Sequence, residues 1–108
     1  MSEEGMVPAS ESTESEIKEM IEENRREIKK LERDQIAYKW NTPSPSYYRR
    51  LAQLKIDTNE LLIILGHRSL WVHKLKCTYI EDHIETLQRK NQRIERHCIA
   101  LTGEGPEL

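Results

Sequence analysis

The architecture of this 108-residue chain is read most directly from residues 70–101, LWVHKLKCTYIEDHIETLQRKNQRIERHCIAL. Apolar and small polar side chains recur in this stretch at intervals of mostly three and four residues. This spacing places them on one face of a helix and is typical of helices that pack along their length. The members of this stripe are Leu70, His73, Cys77, Ile80, Ile84, Leu87, Asn91, Ile94, Cys98 and Leu101.

Two earlier stretches show the same spacing. The first predicts a helix over about residues 14–40, with Thr13 and Glu16 as a capping box at its start. The second predicts a helix that begins at Pro45, with Ser44 as its cap, and ends at Leu65. The two stripes consist of Ile17, Ile21, Asn24, Ile28, Leu31, Gln35 and Tyr38 and of Tyr47, Leu51, Leu54, Thr58, Leu61 and Leu65.

Gly66 separates the second stripe from the third. Glycine often ends a helix in the left-handed conformation, and the interval from Leu65 to Leu70 departs from the repeat. We therefore predict a tight break followed by a third helix over about residues 67–101. A bent but continuous helix from Pro45 is the alternative, because one internal glycine costs only about 1 kcal/mol.

The predicted fold is all-α, with three helices arranged as a long hairpin or bundle that has an extended coiled-coil seam. We expect a disordered acidic tail over residues 1–13, one helical domain over residues 14–101, and a flexible C-terminus over residues 102–108. The helices of that domain span about residues 14–40, 45–65 and 67–101.

The predicted lengths of the helices suggest a protein-interaction role. At 1.5 Å per residue the third helix is about 20 Å longer than the second, so part of its apolar stripe needs a cover from outside the chain. The preferred hypothesis is a non-enzymatic oligomerisation or adaptor subunit that docks a second copy or another helical protein. Asn24 and Asn91 either fix the register of such pairing or lie at its edge. The candidate interface residues are Ile17, Ile21, Asn24, Ile28, Leu31, Ile80, Ile84, Leu87, Asn91, Ile94 and Leu101.

Charge is divided along the chain and supports an alternative. Residues 1–34 carry 11 acidic and 6 basic side chains, whereas residues 35–100 carry 6 acidic and 11 basic ones. A basic strip in the third helix reaches two or three phosphates, which favours a small dimeric protein that contacts an RNA or DNA backbone. The strip consists of Arg89, Lys90, Arg93 and Arg96.

Other functional classes lack their sequence signals. There is no glycine-framed nucleophile and no glycine-rich phosphate loop, so we expect no enzyme, no cofactor and no small-molecule substrate. His73 and Cys77 are four residues apart, but the remaining His and Cys residues match no zinc spacing, and we expect no metal. The longest apolar run has five residues and the first residues are acidic, so neither a membrane span nor a signal peptide is expected. Two cysteines on the apolar stripe indicate a reducing intracellular setting, cytoplasmic or nuclear.

Overall fold

The computed structural model describes residues 12–37, 42–73 and 78–106. Within these ranges the chain forms three helices and no strand: α1 (Glu14–Ala37), α2 (Pro45–His73) and α3 (Thr78–Thr102). The predicted all-α fold of three helices is therefore confirmed, whereas the coiled-coil seam stays a prediction. Residues 1–11 of the predicted tail and the stripe residues Tyr38 and Cys77 lie outside the described ranges.

Interactions between residues close in the sequence account for three of the helix ends. The backbone N–H of Thr13 donates to Glu16 Oε1 at 2.8 Å and the N–H of Glu16 donates to Thr13 Oγ1 at 3.1 Å, which is the predicted capping box. Ser44 caps α2 by accepting a hydrogen bond from the Tyr47 N–H. Gly103 ends α3 with φ of +78°, and its N–H donates to the carbonyl of Ile99.

The predicted break at Gly66 is wrong. α2 continues through this residue to His73, and α3 begins at Thr78 instead of about residue 67. A Cβ built on Gly66 would lie 3.0 Å from Cγ1 and 3.1 Å from Cδ1 of Ile84. The glycine therefore gives α3 room to pack closely against α2, and this contact accounts for a residue that is unfavourable in the middle of a helix.

α2 lies between the other two helices and packs against both, whereas α1 and α3 contact each other very little. At the junction with α1, Ile17, Ile21 and Leu61 form a buried cluster. Both junctions are antiparallel, since early residues of α2 pair with late residues of α1 and α3. Examples are the ion pair of Arg50 with Glu27 and the approach of the Cys98 thiol to the carbonyl of Tyr48.

The residues that follow α3 contact the N-terminal part of α2. Arg49 Nε donates to the carbonyl of Gly105 at 2.9 Å, and its guanidinium lies 3.7 Å from a carboxylate oxygen of Glu104. The C-terminus predicted to be flexible, residues 102–108, thus includes a part that is tied to α2. Residues 107 and 108 lie outside the described ranges.

The Gly66 contact is tested by a double-mutant cycle with Gly66→Val and Ile84→Ala. Helix propensity favours valine over glycine, but its methyl groups overlap Ile84, so we expect Gly66→Val to lower the free energy of unfolding by about 1–3 kcal/mol. Ile84→Ala alone removes a buried side chain and should cost about 2–5 kcal/mol. The double variant should cost less than the two added together, as measured by urea unfolding followed by circular dichroism.

His67→Val is the matched control for this cycle. It places the same β-branched side chain in the same helix at an exposed neighbouring position, and we expect a change within about 0.5 kcal/mol. Costs of Gly66→Val and Ile84→Ala that simply add would contradict the close-packing explanation.

Candidate docking grooves

The structure buries four of the eleven predicted interface residues and leaves the other seven half-buried or exposed. Ile17 and Ile21 are buried against α2, as are Ile84 and Leu87 of α3, and Leu101 is 47% exposed. The remaining candidates are half-buried: Asn24, Ile28, Leu31, Ile80, Asn91 and Ile94. The same chain therefore already covers much of the surface that was predicted for docking.

The length argument for an exposed α3 stripe is also wrong. α3 has 25 residues and α2 has 29, so α3 does not extend beyond its packing partner in length. The error follows directly from the predicted break at Gly66, which assigned the end of α2 to α3. The open edges of the helix junctions are where apolar side chains such as Ile94 and Leu101 stay partly accessible.

Asn91 makes its hydrogen bonds within the chain. The side chain of Asn59 in α2 donates to Asn91 Oδ1 at 2.9 Å, and Asn91 Nδ2 lies 3.5 Å from the carbonyl of Ile56. A polar pair between two packed helices disfavours sliding of one helix along the other, because any shift leaves both amides unsatisfied. The register interpretation of Asn91 thus applies to the α2–α3 pair of one chain.

An apolar groove of about 420 Å³ runs between the first half of α2 and the last turns of α3. We call it the α2–α3 groove. Three basic residues form its rim, namely Lys55, Arg93 and His97. Its floor is apolar and comprises Tyr48, Leu51, Ala52, Ile94, Cys98 and Leu101.

The rim residues differ in how far they are already engaged. Lys55 is half-buried, and its ammonium lies 3.6 Å from a carboxylate oxygen of Glu32 in α1. Arg93 and His97 are exposed on α3. Within residues 12–37, 42–73 and 78–106, no carboxylate forms an ion pair with either of them. The positive charge of Arg93 on the α3 side of the groove is therefore available to a ligand.

A second groove, of about 490 Å³, lies between α1 and α2, and we call it the α1–α2 groove. Its charged residues are acidic: Glu23, Asp57 and Glu60. Asp57 accepts a hydrogen bond from the side chain of Gln53 at 2.7 Å. The predicted interface residue Asn24 lines this groove with Met20, Leu61 and Ile64. The two grooves thus share an apolar lining and differ in the sign of their charge.

The four residues of the predicted nucleic-acid strip are all exposed, but they differ in the contacts that they already make within the chain. Arg89 pairs with Glu85 of the preceding turn at 3.2 Å, and Arg96 Nε donates to the carbonyl of Gln92 at 3.4 Å. Arg93 is the member of the strip that lines the α2–α3 groove.

Two ionisable groups among the described residues have clearly shifted pKa values. Burial, with a smaller effect from Glu32, raises the pKa of Tyr47, and a hydrogen bond from Lys18 lowers the pKa of Glu14. The two groups lie in the first turns of different helices. No three His, Cys, Asp or Glu side chains come together as metal ligands in the part of the chain that is described.

Two further findings concern membrane-spanning helices and similarity to known proteins. No helix within the described ranges is both long enough and apolar enough to cross a membrane. The sequence matches no protein-family model, and no curated protein or solved structure matches this chain.

The role of the polar pair is tested with Asn59→Leu and Asn91→Leu, singly and together. Each single change leaves a half-buried amide without its partner, so we expect a loss of about 1 kcal/mol or more in the free energy of unfolding. The double change removes both polar groups and should lie closer to the wild type. Urea unfolding measures all three, and a double variant at least as unstable as the sum of the singles would contradict this role.

Proposed function

We propose that this chain is a non-enzymatic docking protein that binds one helix of another protein in the α2–α3 groove. The supporting observation is the apolar floor, in which Leu51, Ile94 and Leu101 stay partly accessible. Partner helices bind such grooves through apolar anchors spaced three and four residues apart. This proposal keeps the adaptor hypothesis but moves its surface from the heptad stripes to the edge of one junction.

The spacing of the apolar residues that line the groove supports a helix as the bound element. Ile94 and Leu101 are one heptad apart, so they lie about 10 Å apart along the same side of α3. Leu51 of α2 lines the same groove. A partner helix laid between them would remove apolar surface from water on both sides, which stabilises the complex by about 25 cal/mol per Å² buried.

A reducing intracellular compartment, cytoplasmic or nuclear, is part of the proposal. Cys98 is a free, buried thiol in the floor of the groove. A second copy of the chain is the other candidate occupant, and sedimentation of the purified chain distinguishes self-association from binding of a different protein.

The docking proposal is tested by selecting binders to the full chain from a displayed library of amphipathic helices. Selected helices should lose at least about tenfold in affinity for Leu101→Asp, because this change places a charge in the apolar floor. Ile99→Asp is the matched control, since Ile99 is 46% exposed against 47% for Leu101 but does not line the groove. Equal losses for the two variants, or no selected binders, would refute the proposal.

Binding to a nucleic-acid backbone is a second proposal, supported by the exposure of Lys90, Arg93 and Arg96 on one helix. Contacts from these three residues to phosphates predict that the logarithm of the binding constant falls with the logarithm of salt concentration with a slope of about −2 to −3. Gel-shift titrations with duplex RNA and DNA measure this slope, and the combined Lys90→Glu, Arg93→Glu and Arg96→Glu changes should abolish the shift. Absence of a shift at low salt rules this function out.

A further inference from the structure

We infer that the helix bound in the α2–α3 groove is acidic along the side that meets α3, an inference that rests on the docking function proposed above. The α2–α3 groove and the α1–α2 groove differ in the sign of the charge at their edges. Both are apolar and similar in volume, yet only the α2–α3 groove has a basic rim, whereas Glu23, Asp57 and Glu60 make the α1–α2 groove acidic. The rim charge therefore distinguishes one site from the other.

The basic rim continues along α3 as an ordered row. Lys90, Arg93 and His97 are spaced three and four residues apart, which puts their side chains on one face of the helix at intervals of about 5–6 Å. We call these three residues the basic row. All three are exposed, and two of them line the α2–α3 groove.

The basic row is not neutralised by its own helix. No Asp or Glu lies three or four positions from any of its members, the positions from which α3 side chains reach each other. Arg89 on the neighbouring face is different, because Glu85 lies 3.2 Å from it. Lys55 across the groove already contacts Glu32. The basic row is thus the part of the rim that gains most from carboxylates brought by a partner.

The same spacing defines the complementary helix. Carboxylates at positions i, i+3 and i+7, or i, i+4 and i+7, of a partner helix repeat the geometry of the basic row, beside an apolar stripe that fills the floor. The apolar stripe supplies most of the affinity, and the charges supply orientation, association rate and discrimination against other helices.

The apolar floor favours an acidic helix over a nucleic acid. A phosphate backbone offers negative charge to Arg93 but no apolar stripe for Leu51, Ile94 and Leu101, which would stay in contact with water. An acidic amphipathic helix matches both the floor and the basic row. Duplex RNA is therefore the competing ligand in the test.

The test uses two helix-stabilised peptides with the same Leu and Ile stripe, one flanked by Glu and the other by Lys. We expect the full chain to bind the Glu-flanked helix at least about tenfold more tightly than the Lys-flanked one at about 0.15 M ionic strength. Lys90→Glu together with Arg93→Glu should abolish or invert this preference. The matched control is Arg89→Glu with Arg96→Glu, a double change of the same charge away from the groove lining, which should alter the preference by less than about threefold.

Each other outcome has a distinct meaning. Equal binding of both peptides, with loss on Leu101→Asp, overturns the acidic partner and leaves the docking function standing. If neither peptide binds, the residues that flank the apolar stripe of the library-selected helices test the inference. Enrichment of Glu and Asp over Lys and Arg at these positions supports an acidic partner. No such enrichment overturns it. Displacement of the Glu-flanked helix by duplex RNA at lower concentration than by unlabelled peptide also overturns it.

Discussion

The close contact between Gly66 and Ile84 is the constraint that determines how closely α3 packs against α2. Without a side chain at residue 66, α3 approaches the backbone of α2 closely, while α2 stays helical on both sides of the contact. A helix of 29 residues is about 43 Å long, which gives α1 and α3 a common partner along most of their length. A break at residue 66 would instead remove the segment of α2 that packs against the first turns of α3, where Ile80 and Ile84 lie close to Gly66.

A shared central helix also explains why the protein has two grooves. Since α1 and α3 each pack on α2 and hardly meet, each junction keeps an open edge where apolar side chains stay partly accessible. A closed bundle would bury these edges against a third helix. The two grooves differ in charge because α3 supplies Arg93 and His97 to one, whereas Glu23 of α1 joins Asp57 and Glu60 of α2 in the other.

Sequence reasoning succeeded where a local interaction determines the structure and failed where a distant contact does. Thr13 with Glu16 and Ser44 with Pro45 are complete within a few residues, so the capping chemistry identified both helix starts. A glycine such as Gly66 can either end a helix or allow another helix to pack closely against it. The local sequence fits both roles, and only the contact with the distant Ile84 shows that Gly66 has the second one. The spacing of Ile84 and Leu87 predicted a buried face but not that α2 covers it. The α2–α3 groove combines residues about 45 positions apart, and no periodicity within one helix predicts such a pairing.

The small hydrophobic core and the open α2–α3 groove both follow from the low content of hydrophobic residues. The chain has 36% hydrophobic residues and no Phe, so three helices bury few side chains completely, and Ile94 and Leu101 remain accessible at the edge of a junction. A helix bound there, as proposed above, would extend the same core, because its apolar stripe would contact Leu51 of α2 and Leu101 of α3 at once. Binding that requires both helices in place also stabilises their packing, by RT ln(1 + [L]/Kd) for a ligand that binds only the folded state. The proposed docking would therefore couple binding to folding through the α2–α3 junction, which the hydrogen bond from Asn59 to Asn91 also spans.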